Sequence, residues 1–223
     1  MKLYELFLDF LYPEKCIFCH RILKKKENDI CFRCSRIIPY TFEKEKQKLP
    51  FIMDCYSPLF YEGDVKNSLH RYKFGGLQFY SKAYAKLIFE NTSIKHLNFD
   101  FISYVPLSRK RLRARGYDQA RLLADELSKL TGKACIRTLD KIRNTRAQSR
   151  TGAFKERSEN ISGAYRLCKN TEVKGKKLLL IDDIVTTGST LSEAASQLVA
   201  ADAVVYAATV ARARERNNKN ENL

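Results

Sequence analysis

Asp182 and Asp183 follow four apolar residues, Leu178 to Ile181, and precede the small-residue run Thr186-Thr187-Gly188-Ser189-Thr190. The apolar run predicts a buried strand. Beyond the small residues, Leu191, Ala194, Ala195 and Leu198 fall on one face of a predicted helix. A turn between a strand and a helix N-terminus presents unpaired N–H groups and the positive end of the helix dipole, which suits a phosphate on Thr186 to Thr190. The two carboxylates cannot serve that phosphate, because like charges repel. They suit neighbouring hydroxyls of a sugar, or a divalent cation. One loop therefore offers phosphate and diol recognition side by side, which is what a ribose 5-phosphate requires. The plainer alternative is an ordinary strand–turn–helix with a polar strand end.

A second chemistry lies near the N-terminus. Cys16-x-x-Cys19 and Cys31-x-x-Cys34 form two knuckles separated by eleven residues. Each knuckle lets two thiolates reach one metal, and the pair completes a four-sulfur shell for Zn²⁺, with an iron–sulfur cluster or two redox dithiols as the competing readings. Four ligands leave no open position, so the metal is structural and His20 a bystander. The finger would fold a stretch too small for its own core, and it offers a possible DNA contact. Cys55, Cys135 and Cys168 stand alone and suit small buried positions.

The elements between these two sites must bring charge to the ligand. Glu43 to Pro50 is charged and ends in proline, so the boundary between a finger domain (1–48) and a larger domain (49–213) is expected there, with a polar tail over 214–223. Strands are expected over Cys55 to Tyr61, Phe99 to Val105, Leu167 to Lys169 and Ala203 to Val210. Helical spacing covers Val65 to Tyr72, Gln78 to Glu90, and the segment carrying Ala120, Leu123, Ala124, Leu127 and Leu130. Lys73-Phe74-Gly75-Gly76 reads as a helix end and flexible turn. Five of the seven residues from Arg109 to Arg115 are basic. In open parallel sheets ligands bind where strands end, so this loop after one strand can face the acidic loop after another and hold a pyrophosphate. A solvent-exposed basic loop is the competing reading. Lys141 to Tyr165 is long, polar and weakly periodic, which suits either a hood over the site or a nucleic-acid surface. Arg143, Arg146, Arg150 and Arg157 would serve either. The segment from Arg212 onward is expected to fray.

Composition sets the outer limits. The chain has 223 residues, 44% of them hydrophobic, and a formal net charge of +16. That is enough apolar content for one α/β domain with a small appendage. The charge favours nucleic acid, phosphorylated ligands or anionic lipid, or is a set of solvated faces. No apolar run is long enough to span a bilayer. In Met1 to Tyr12, Leu3, Leu6, Phe7, Phe10 and Leu11 share a helical face, but Glu5 and Asp9 interrupt it and no cleavage site follows. This amphipathic segment suits docking on the protein or peripheral membrane association, and the expected location is cytoplasmic.

The run from Leu178 to Thr190 resembles, without a departure, the phosphoribosyl pyrophosphate (PRPP) motif of type I phosphoribosyltransferases. The whole chain resembles the ComF family of competence-associated proteins, in its ComFC type, akin to GntX-like homologues. The resemblance rests on the finger, Lys73-Phe74-Gly75-Gly76 and the run Pro106 to Ala120, with Pro106, Ser108, Arg109, Arg113, Arg115, Gly116, Gln119 and Ala120 matching. Arg143, Thr145, Gln148, Arg157 and Asn160 match the later pattern, while Tyr117 and Asp118 stand where the family often has Phe and Asn. The resemblance implies an α/β fold of type I phosphoribosyltransferase kind, an open and mostly parallel sheet flanked by helices, plus a small N-terminal zinc finger with four cysteine ligands. It implies Mg²⁺-PRPP with its 5-phosphate on Thr186, Thr187, Gly188, Ser189 and Thr190, its ribose hydroxyls on Asp182 and Asp183, and its pyrophosphate near Ser108, Arg109 and Lys110. Arg113, Arg115, Arg143, Gln148 and Arg157 would then serve as hood or single-stranded DNA contacts, with Phe74, Tyr117 and Phe154 as stacking faces. The acid pair is intact, unlike that of regulatory relatives which have lost such acids. A role in natural transformation is implied, handling incoming single-stranded DNA beside a DNA-translocating helicase. The acceptor of any transfer reaction is left open.

Overall fold

A computed structural model describes residues 13–143 and 163–214. The Met1–Tyr12 segment, the part of the expected hood that carries Arg146, Gln148, Arg150, Phe154 and Arg157, and the chain beyond Arg214 lie outside the described residues.

The knuckle helix α1 (Phe32–Ile37) leads to strands β1 (Lys46–Leu49), β2 (Ile52–Tyr56) and β3 (Leu59–Phe60), then to helices α2 (Gly63–Phe74) and α3 (Tyr80–Asn91). Strand β4 (Phe101–Tyr104) precedes α4 (Arg109–Arg115), α5 (Gln119–Thr131) and the strands β5 (Leu139–Lys141) and β6 (Tyr165–Leu167). Strand β7 (Lys177–Val185), helix α6 (Ser189–Val199) and β8 (Val204–Arg212) complete the described chain. One six-stranded sheet runs β1-β2-β8-β7-β4, with β3 also on β8; β5 and β6 form a separate antiparallel pair. Only β1 and β2 pair antiparallel within the large sheet.

The central strand β7 shows why both faces must be covered. Alternation sends Leu178 and Leu180 into one apolar layer, with Leu191, Ala194 and Leu198 of α6. Leu179 and Ile181 enter the opposite layer, with Leu69 of α2, Tyr84 of α3 and Leu123 of α5. A continuous apolar run is the mark of a parallel strand buried on two sides. Among the described residues no helix is long and apolar enough to cross a membrane.

Three expectations meet a different structure. Within the charged run Glu43 to Pro50, Lys46–Leu49 forms the edge strand β1, its lysines supplying the charge that protects a sheet edge from further pairing. The basic stretch Arg109 to Arg115 is a helix, capped by Ser108 and ended by Gly116 in the left-handed region at φ 80°. Arg212 does not fray: it closes β8 and is 6% exposed, and Arg214 beyond it makes a two-bond pair with Glu62 at 2.8 Å.

Candidate functional site

The carboxyl ends of β4 and β7 open onto a cavity of about 280 Å³ lined by Lys73, Arg111, Arg115, Gln119, Lys141, Tyr165, Asp182, Asp183, Thr186 and Thr190. A smaller pocket of about 30 Å³ adjoins it, formed by Thr186 to Leu191 at the N-terminus of α6. Gly188 occupies the cap of that helix at φ 78°, and no side chain caps it. The Ser189 amide reaches Thr187 Oγ1 at 3.4 Å, and the cap residue itself takes none of the amides that follow, as an anion site requires. Leu49 packs so close to Gly188 that a Cβ there would stand 2.4 Å from Leu49 Cδ2. Both the backbone angle and the space call for glycine. Thr187 and Ser189 share a hydroxyl contact of 2.9 Å within the loop.

Strand β7 continues through both acids, and its alternation gives them different surroundings. Asp183 is 5% exposed. One of its oxygens pairs with Lys73 Nζ of α2 at 2.9 Å, and the other accepts from Gln119 Nε2 of α5 at 2.8 Å. Asp182 is only partly buried, at the cavity floor, and its Oδ1 accepts from the Asp183 amide at 2.8 Å. Desolvation, reinforced by the neighbouring Asp183 charge, pushes the Asp182 carboxyl up to about 7, against the pull of Lys73 and Lys141. Burial brings Lys141 down to about 8, and its amine donates to the Tyr165 hydroxyl at 2.9 Å. Lys141 and Tyr165 are a register pair of β5 and β6, the last before the undescribed segment. Gly163 beyond them donates its amide to Glu193 of α6 at 2.6 Å, which ties this strand pair to the anion loop's helix.

Helix α4 sorts its cations by its period. Arg111 and Arg115, four apart, face the cavity; Arg109, Lys110 and Arg113 point to solvent. Ser108 is 4% exposed and spends its hydroxyl as the cap of α4, accepting from the Arg111 amide. Thus Ser108, Arg109 and Lys110, expected against a pyrophosphate, are absent from the cavity wall, and their helix instead brings Arg111, which had no role of its own in the sequence reading, and Arg115, expected as a hood or single-stranded DNA contact. Lys73, Lys141 and Tyr165 were also missed. Lys73 meets its partner 110 positions away, where no local pattern reports it. Arg115 stacks over Phe74 with its guanidinium 4.7 Å from the ring centre. Tyr117, expected as a stacking face, is 7% exposed, and its hydroxyl donates to the Tyr72 carbonyl. Arg143 is exposed at the end of the described stretch.

The sulfur atoms of Cys16, Cys19, Cys31 and Cys34 all lie within 4.8 Å of one another, with Cys19 and Cys31 at 3.7 Å. Tetrahedral Zn–S bonds of ~2.3 Å set sulfurs ~3.8 Å apart, so this donor set fits such an ion. Backbone amides of Cys31 and Cys34 donate to the sulfurs of Cys16 and Cys31 at 3.4 Å each. Burial alone would raise the Cys31 thiol, but hydrogen bonds from Arg21 and Cys34 outweigh it and bring it down to about 6, favouring the thiolate a metal needs. His20 is exposed and outside the cluster. The four cysteines can hold a metal ion.

Residues 113–222 match the model of the phosphoribosyl transferase domain. That match and the parallel sheet with its acid-pair strand and Thr/Gly loop identify the type I phosphoribosyltransferase fold. The chain is similar to DNA utilization protein YhgH of Salmonella typhi, 37% identical over 101 residues; that alignment covers 45% of this chain and 43% of the relative, so the match spans less than half of either. Two relatives align over most of their length. Competence protein F of Haemophilus influenzae is 26% identical over 80% of this chain and 88% of its own, and Competence protein ComFC of Bacillus subtilis is 29% identical over 86% and 81%. The domain match in the chain's C-terminal half and both competence proteins aligned along at least 80% of its length support a ComF-family protein.

Proposed function

We propose that this chain binds Mg²⁺-PRPP in the cavity above β4 and β7, and that it handles incoming single-stranded DNA in competence on the cytoplasmic side of the membrane. In this reading residues 1–48 serve the metal knuckle and residues 49–213 the ligand. The observation that carries it is the meeting, in one cavity, of an acid pair, a Thr/Gly helix start and four cationic side chains. A ligand with a 5-phosphate, a diol and a pyrophosphate answers all three. The 5-phosphate lies on the amides of Thr186 to Thr190, and Asp182 accepts from the ribose diol. Arg111, Arg115 and Lys141 take the pyrophosphate. The partly exposed Asp182 carboxylate supplies a hard oxygen of the kind Mg²⁺ takes, and the ion, when bound with the pyrophosphate, neutralises part of its charge. Zn²⁺ in the four-cysteine site would be structural.

The DNA part rests on the net charge of +16, on the solvent-facing Arg109, Lys110, Arg113 and Arg143, and on Phe74, 61% exposed under the Arg115 guanidinium. The names Competence protein and DNA utilization protein carried by relatives agree with it. Such binding weakens with salt, and Arg113→Ala should lower the salt slope by about one.

A second reading, true transferase turnover, is favoured by Lys141. Its ammonium lines the cavity with Arg111 and Arg115, where it can neutralise charge on a departing pyrophosphate. The C1–O bond of the ribose would break, pyrophosphate leaving with the electron pair onto the arginines. An incoming nucleophile then gives its pair to C1 and its proton to an oxygen of the departing pyrophosphate, while the Asp182 carboxylate favours the positive charge on the sugar.

Calorimetric titration of Mg²⁺-PRPP into wild type and Asp182→Asn tests the binding claim. Micromolar binding that weakens at least about tenfold in the variant is expected, since hydrogen bonds to charged groups contribute about 1.5–3 kcal/mol. Absence of binding by the wild type would overturn the proposal.

A further inference from the structure

Gln119 opens helix α5 with its side chain in the cavity wall, 3% exposed. Its amide has one sensible orientation. Nε2 donates to Asp183 Oδ2 at 2.8 Å, and turning the amide over would set Oε1 against that carboxylate. Oε1 is thereby committed away from Asp183, and no donor among the described residues reaches it. Burying an amide oxygen without a donor is costly, so buried carbonyls almost always have one. Oε1 itself is closed to solvent, and the cavity that Gln119 lines is the side from which a ligand's donor group can approach it.

The neighbours decide what kind of ligand group. Lys73, Arg111, Arg115 and Lys141 line the same cavity and disfavour a cationic N–H donor. A neutral hydroxyl is the donor such surroundings accept. Asp183 has both oxygens engaged already, by Lys73 and by Gln119 itself. Asp182 lines the cavity too and is the less buried of the two acids.

We infer that Gln119 reads the ligand's sugar: Oε1 accepts from one ribose hydroxyl while Asp182 accepts from the adjacent one, and Asp183 orients Gln119 and Lys73 rather than binding the diol. This assignment rests on the ribose-phosphate reading proposed above. It makes Gln119 a specificity residue, because a sugar lacking the matching hydroxyl leaves the buried oxygen unpaired, and sites built on such bonds reject the defective analogue strongly.

The test uses the full chain and three ligands: ribose 5-phosphate and its 2-deoxy and 3-deoxy analogues. Wild type should bind ribose 5-phosphate at least about tenfold more tightly than either deoxy sugar. Gln119→Met should erase the discrimination against one deoxy analogue and keep it against the other; Asp182→Asn should show the opposite pattern. Equal weakening of all three ligands by Gln119→Met, or unchanged ratios, would overturn the assignment. So would a wild type that binds all three sugars alike, a result that needs no variant to fold. A wild type that binds neither these ligands nor PRPP overturns the ribose-phosphate reading and this assignment with it.

Discussion

At the scale of single residues, the two acids differ because a strand alternates. Asp183 faces the α2–α5 side, where a lysine and an amide engage both its oxygens. Asp182 faces the side of Lys141 and Tyr165 at the end of the β5–β6 pair. Its carboxyl titrates at about 7 and the Lys141 amine at about 8. The signs follow. Above about 7 Asp182 becomes the anion that accepts hydroxyls most strongly; above about 8 Lys141 loses the charge that holds a polyanion. PRPP affinity should therefore peak between these values and fall on either side, with Lys141→Met removing the alkaline limb. For stability the sign is opposite to that of an ordinary salt-bridged acid. A carboxyl raised on folding binds its proton more tightly folded than unfolded, so the unliganded protein should lose stability as pH climbs from about 4 to about 7. Melting curves for wild type and Asp182→Asn at about pH 5 and about pH 8 check this, because the variant should lack that part of the slope. Equal slopes would mean that Asp182 titrates like an exposed carboxylate.

Among the elements, α4 shows what could be read in the sequence and what could not. Strand β7, helices α5 and α6 and the Thr/Gly turn were legible because long apolar patterns force one period and one buried face. Helix α4 was not, since Arg109 to Arg115 has one large apolar residue, Leu112, and hydrophobic periodicity is the main signal for a helix. Two weaker signals were there, the Ser108 cap and Gly116 just past the end. Once the helix is placed, its period alone divides five cations into a cavity pair and a solvent set. Arg111→Ala is expected to lower PRPP affinity by about tenfold or more, as loss of a charged hydrogen bond does. Lys110→Ala, on the outer face, should leave it within about twofold, as isolated surface charges contribute little. Calorimetry on the two variants separates the faces; equal losses would mean that the ligand reaches over the outside of α4. Lys73 and Lys141 were illegible for a different reason. Each gets its meaning from a partner on a distant element, and a single sequence does not display such pairings.

At the scale of the whole molecule, α2 joins the two chemistries that the sequence keeps far apart. Ser68 and Arg71 donate to the carbonyls of Ile17 and Phe18 inside the first knuckle, and Ser68 also meets the Tyr84 hydroxyl at 2.6 Å. One step further along the helix, Tyr72 donates to the Gln119 carbonyl at 2.7 Å, and Lys73 pairs with Asp183. Cys16, Ile17, Phe18 and Cys34 lie in the same apolar layer as Leu69, Leu123 and Ile181, so the knuckle is continuous with the core under the cavity. A structural zinc contributes roughly 10–16 kcal/mol in zinc-finger peptides, while a domain is stable by about 5–15 kcal/mol in all. Metal loss is then large enough to unfold the knuckle, and α2 would lose its hold on one side. Chelation, or Cys31→Ser at a buried ligand position, should therefore lower the melting temperature and weaken PRPP binding together, with one zinc released per chain in a colorimetric assay. Arg71→Met supplies the control that keeps the metal: zinc stays bound, while affinity falls if α2 carries the coupling. PRPP affinity that survives chelation unchanged would mean that α3 and α5 fix Lys73 without the knuckle, and the metal would then serve only the surface it folds.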